Sequence, residues 1–71
     1  MNMERIKGLR EDNDMNQTDL ALILNISQRA YSHYERGDRE IPLKILISIA
    51  DYYNVSVDYL LGRTNKKEVN R

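Results

Sequence analysis

The stretch Asn16-Gln17-Thr18-Asp19-Leu20-Ala21-Leu22-Ile23-Leu24-Asn25-Ile26-Ser27-Gln28-Arg29-Ala30-Tyr31-Ser32-His33-Tyr34-Glu35-Arg36-Gly37 decides the fold. Asn16 is a good N-cap residue three positions ahead of the Asp19 carboxylate, a capping-box-like start. Leu20, Ala21 and Leu24 then share one helical face, and Asn25 stops the helix. Ser27 caps the next helix, which runs to Arg36 and ends at Gly37, the common residue just past a helix C-terminus. Only Asn25-Ile26-Ser27 separates the two, and two short helices joined so tightly make a helix-turn-helix.

Outward from this pair the helical spacing continues. A first helix is expected over about Met3–Asp12, with Ile6 and Leu9 inward and Arg5, Lys7, Arg10 and Glu11 mostly solvated; Asn13-Asp14 breaks it. Pro42 stands where a fourth helix starts, in keeping with the first-turn preference of proline. That helix covers Leu43–Tyr53. Its polar stripe is only Lys44, Ser48 and Asp51, which predicts a central helix packed on several sides. Asn54 turns the chain, Ser56 caps a short fifth helix over Val57–Leu61, and Gly62 ends it. The domain is therefore expected over residues 1–62. Residues 63–71 form a polar tail, with no core residue except Val69, that should fray. No strand pattern is present. The fold class is all-α, a small five-helix bundle.

Seventy-one residues allow one domain, and at 41% hydrophobic and 31% charged it is globular. A chain this short buries only about 60% of the surface it exposes when unfolded. There is no cysteine, which rules out disulfides and Cys-ligated metal. The longest apolar run, Ala21–Leu24, spans no membrane, and Met1 leads directly into charged residues rather than a secretory leader. The expected compartment is the cytoplasm. One histidine and no cysteine leave most catalytic and metal chemistries without their parts. No activated nucleophile, catalytic carboxylate pair or phosphate loop is found, so an enzyme, a metal site and a cofactor are not expected. The eleven basic and eleven acidic residues balance. Nucleic-acid binding must therefore be argued from local arrangement.

That arrangement lies on the third helix. At about 100° per residue, Ala30, Tyr31 and Tyr34 form a narrow apolar stripe. The opposite face offers Gln28, Arg29, Ser32, His33 and Arg36, with no acidic residue among them; Glu35 falls back toward the core. Gln pairs bidentately with adenine, Arg with guanine, and Ser with either. On composition alone, a merely solvated face of a small helical protein is the better reading. His33 has no companion ligand for a metal, which leaves a groove contact or an ordinary surface histidine.

The order and spacing of several pieces resemble the Cro- and phage-repressor-type (XRE-family) helix-turn-helix domain, whose fold is lambda-repressor-like. The pieces are Arg5-Ile6-Lys7 with Leu9-Arg10, Asn16 to Ala21, Leu24 to Ser27, Tyr34 to Gly37, Ile49 to Tyr53 and Val55 to Gly62. They cover about residues 4–62. Asn25 and Asp14 stand where that family often has glycine, and asparagine and aspartate are the residues next best able to take positive φ. Asn16 replaces the usual Ser or Thr cap. The resemblance implies a sequence-specific transcriptional regulator, a repressor more than an activator, with helices two and three as the DNA-reading unit. It implies base contacts from Gln28, Arg29, Ser32 and His33. It implies phosphate contacts from Gln17 at a helix N-terminus, with Asn16, Ser27, Arg10, Arg36, Arg39 and Lys44. An arginine like Arg10 pairs in that family with a glutamate like Glu35, and that pair is expected to be partly exposed. Tyr31 is larger than the usual residue and should be partly buried, its hydroxyl reaching water.

A single small module binds modestly, so the expected partner is a palindromic double-stranded operator bound by a homodimer. Leu22 with Ile23, and Ile45 with Tyr52, are surplus apolar groups that suggest two candidate dimer patches. No small-molecule ligand or sensor segment is evident. The alternative function is a protein-interaction module, such as an antitoxin or adaptor on the same fold, which the zero net charge favours.

Overall fold

A computed structural model describes residues 3–68. Five helices follow one another: α1 Glu4–Asp12, α2 Gln17–Leu24, α3 Gln28–Arg36, α4 Leu43–Tyr53 and α5 Val57–Leu60. Among the described residues there is no strand, and no helix is long and apolar enough to cross a membrane. α2 packs on α3 and α4, α1 packs on α3 and α5, and α4 packs on α5.

Local chemistry sets the boundaries. The Asn16 side chain accepts from the Asp19 amide at 2.8 Å, and Asp19 accepts from the Asn16 amide at 3.0 Å, a complete capping box. Ser27 and Ser56 cap α3 and α5 by accepting from Ala30 and Tyr59. Asn25, Asn54 and Gly37 close α2, α4 and α3 in the left-handed conformation, at φ 58°, 55° and 82°. Asp14 also takes positive φ, between α1 and α2. Pro42 lies one residue earlier than the first turn, at the N-cap of α4, and supplies no side-chain cap.

The core is Ile6 and Leu9 from α1, Leu20, Ala21 and Leu24 from α2, Tyr31 from α3, Leu46, Ile49 and Ala50 from α4, and Leu60, with Met3 and Val55. Five expectations change here. Arg10 is buried rather than solvated, because it pairs inward with Glu35. Tyr31 is fully buried and its hydroxyl does not reach water; α1 and α2 close over it. Ile45 packs against the core, so it is not an exposed patch. α4 is nevertheless not covered on all sides, since Leu43 is 66% exposed and Ile47 and Tyr52 are also open. Residues 63–67 do not stand free. Arg5 Nη1 donates to the carbonyls of Tyr59 and Thr64, and Nη2 donates to Asn65 Oδ1. The Ser56 amide donates to Lys67 O at 2.9 Å. The Arg5 guanidinium lies 4.4 Å from the centre of the Tyr59 ring, a cation–π contact. Val69 lies outside the described residues.

Candidate nucleic-acid interface

The turn between α2 and α3 fixes the two helices relative to each other. Left-handed Asn25 lets the Ile26 amide reach Ala21 O at 3.0 Å, and small, buried Ala21 sits on the face that α2 turns to the core. The inward stripe of α3 is anchored by Tyr31, with Tyr34 half-buried. Its other face is left to solvent. Gln28 and Arg29 are exposed, Ser32 and His33 are half-buried, and Arg36 is 58% exposed.

Beneath this face runs a continuous polar chain. Arg10 Nε and Nη2 donate to the two carboxylate oxygens of Glu35 at 3.1 and 2.9 Å, a bidentate pair whose side chains are 11% and 5% exposed. Arg10 Nη1 donates to Met15 O. Gln17 Nε2 donates to Glu35 at 3.3 Å, and Gln28 Nε2 donates to Gln17 Oε1 at 2.9 Å. The chain thus couples α1, the start of α2 and the start of α3. All three Arg10 nitrogens donate within the domain. Arg10 therefore sits as a brace, with a bond from each nitrogen turned into the domain, and the pair is more buried than the sequence suggested. Gln17 and Gln28 each keep one amide hydrogen beyond these bonds, and Gln28 keeps its carbonyl oxygen. That is the pair of groups an adenine edge requires.

Burial works to push the Glu35 carboxyl up, but Arg10 first, then the adjacent Tyr31 hydroxyl and Gln17, outweigh it and hold the carboxyl below its ordinary value. The Glu35 hydrogen bond raises Arg10. Burial, and then the Glu35 carboxylate, push the Tyr31 hydroxyl far up; it meets no partner at hydrogen-bonding geometry.

The remaining expected contacts are distributed as follows. Asn16 and Ser27 spend a side-chain oxygen on capping, which leaves the amide hydrogens of Asn16 and the hydroxyl hydrogen of Ser27 to donate. Arg39 and Lys44 are exposed, in the loop after α3 and at the start of α4. Although α3 carries no acid on its outward face, the following loop supplies one. Asp38 Oδ2 accepts from Arg36 Nε at 3.0 Å and lies 3.3 Å from His33 Nδ1. A helical wheel ends with the helix and does not show this. Beside the same loop an apolar groove of about 320 Å³ is lined by Ile41, Leu43, Leu46 and Leu61, together with Arg39 and Glu40.

The Helix-turn-helix family model HTH_3 matches residues 6–60. The chain is 42% identical over 65 residues to the HTH-type transcriptional regulator YqaE of Bacillus subtilis, covering 90% of this chain and 56% of that protein. It is 34% identical over 68 residues to the HTH-type transcriptional regulator AnsR of the same organism, covering 96% and 59%. It is 32% identical over 59 residues to the antitoxin PezA of Streptococcus pneumoniae, covering 83% and 37%. The chain spans little more than half the length of the first two and less of the third. The match across all five helices, together with the α2–turn–α3 geometry, places it in a family: the chain belongs to the Cro/phage-repressor-type (XRE) helix-turn-helix proteins.

Proposed function

We propose that this chain is the DNA-binding unit of a sequence-specific transcriptional regulator, acting as a repressor in the cytoplasm by binding rather than catalysis. The observation that carries the reading is the outward face of α3, where Gln28, Arg29, Ser32 and His33 project from a helix rigidly braced from behind. α3 enters the major groove. Gln28 and Arg29 read base edges, with Ser32 and His33 beside them. Gln17 and Asn16, at the N-terminus of α2, meet a phosphate that the helix dipole also favours. Ser27, Arg36, Arg39 and Lys44 supply further backbone contacts, which set register without reading sequence. Residues 1–62 carry this activity, and residues 63–67 close against α1 and the start of α5.

Two copies bind a palindromic operator, one per half-site. The groove at Ile41, Leu43 and Leu61 favours self-association. Arg39 and Glu40, of opposite charge, line it as well, and two copies related by a two-fold axis could pair each with the other's. Tyr52 and the Leu22/Ile23 pair are exposed as well and offer the other candidate surfaces.

A second reading, an antitoxin-like module whose main partner is a protein, is favoured by the zero net charge and by the antitoxin among the relatives. Titration of duplex DNA at several salt concentrations separates the two. A DNA reader loses log affinity linearly with log salt, by about 0.9 per phosphate contact. Absence of salt-dependent binding at low salt would favour the protein-interaction module.

A further inference from the structure

The outward face of α3 is basic, yet Asp38 is folded back onto its last turn. Left-handed Gly37 makes the turn, and the Asp38 amide donates to His33 O at 3.0 Å. The carboxylate is thereby held beside Arg36 and His33 at that end of the face. Arg36 Nε donates to Asp38 Oδ2 at 3.0 Å, and His33 Nδ1 lies 3.3 Å from the same oxygen. Arg36 Nη2 lies 3.1 Å from His33 Nδ1. One nitrogen cannot accept from Arg36 and donate to Asp38 at once. The Arg36–Asp38 bond is independent of which it does.

Helix stability does not account for a carboxylate here. The C-terminal end of a helix dipole is negative and favours cations. With both side chains more than half exposed, the ion pair itself adds little to folding.

We infer that Asp38 is an internal competitor of the DNA backbone: it holds Arg36 Nε and part of the guanidinium charge in the unbound domain, and a phosphate takes that charge in competition with Asp38. Asp38 is thus a positioning residue that limits affinity for DNA of arbitrary sequence. The inference rests on the DNA-binding reading of α3.

The test is a double-mutant cycle, measured by titration of a short duplex of arbitrary sequence across a salt series. The proteins are the unaltered chain, D38N, R36A and the double variant. D38N should bind about two- to fivefold more tightly, the range that loss of an exposed ion pair allows. Its salt slope should be nearly unchanged, because Arg36 reaches a phosphate in both proteins. Its melting temperature should be unchanged or higher. In the R36A background the D38N gain should vanish. Lack of salt-dependent binding by the unaltered chain would overturn the DNA interface, and with it this role. If the unaltered chain binds but D38N changes nothing, or strengthens binding equally with and without Arg36, the role of Asp38 alone is overturned.

Discussion

Replacing Glu35 by alanine should come close to unfolding the domain. The Arg10–Glu35 pair joins α1 to α3 with both side chains almost fully covered, at 11% and 5% exposure. An exposed pair would be worth at most about 1 kcal/mol. Here the substitution leaves the Arg10 guanidinium buried with only the Met15 carbonyl as acceptor, and it also removes the acceptor for Gln17. Removing one member of a buried pair costs about 3–5 kcal/mol. A domain of 71 residues has a total stability of about 4–10 kcal/mol. Urea denaturation followed by circular dichroism should show that loss, with a melting temperature lowered by more than about 12 °C. The double replacement Arg10→Met with Glu35→Leu removes both charges and should recover most of it, since well-packed apolar residues substitute for a buried pair at little cost. A Glu35→Ala loss below about 1 kcal/mol would refute the brace.

Tyr31→Phe removes a fully buried hydroxyl that makes no hydrogen bond of good geometry but faces the Glu35 carboxylate, so thermal melts should show a stability change of less than about 1 kcal/mol. Because the folded state holds that hydroxyl protonated well above its ordinary value of 10.0, the unfolded chain releases a proton first. Stability should therefore fall as pH rises beyond about 10, and Tyr31→Phe should flatten the fall in alkaline denaturation curves. The lowered Glu35 carboxyl acts in the opposite direction: its contribution is present above the unfolded value and is lost as pH falls through the folded one. Asn25→Ala should cost about 1–2 kcal/mol, because alanine resists the left-handed conformation at φ 58°. Asn25→Gly should be near neutral, and thermal melts of the two variants check the difference. Gln17→Ala and Gln28→Ala should be non-additive in operator binding by about 0.5 kcal/mol or more, since the two side chains share a hydrogen bond; strict additivity would mean the bond is not kept on DNA.

Where the fold follows from local chemistry, the sequence was legible. Asn16 with Asp19, Ser27, Asn25, Gly37, Asn54 and Ser56 each have a cap or left-handed position to fill, and each fills it. Ile6, Leu9, Leu20 and Leu24 were legible from spacing alone. The opaque features depend on what covers a surface. Spacing makes α4 apolar over most of its circumference, but only its neighbours decide that Ile45 is packed while Leu43 is open. Arg10 has the chemistry of a solvated residue, and α3 alone makes it a buried one. At the candidate interface the outward side chains of α3 were legible, because a wheel needs only the helix. Asp38 was not, because it returns from the loop. The Arg5 contacts with Thr64 and Asn65 were not either, since they join positions more than fifty residues apart.

The most direct test of the reading face is base specificity. Gln28→Ala and Arg29→Ala should each be titrated against the best operator, first isolated from a random-sequence pool, and against its single-base variants. Both side chains are exposed and point away from the core, so folding should be nearly unchanged. Each replacement should cost about 1–3 kcal/mol on the operator and flatten the preference at one or two base pairs, leaving the other positions as selective as before. Binding to every member of the panel that neither replacement alters would contradict α3 as the element that reads DNA.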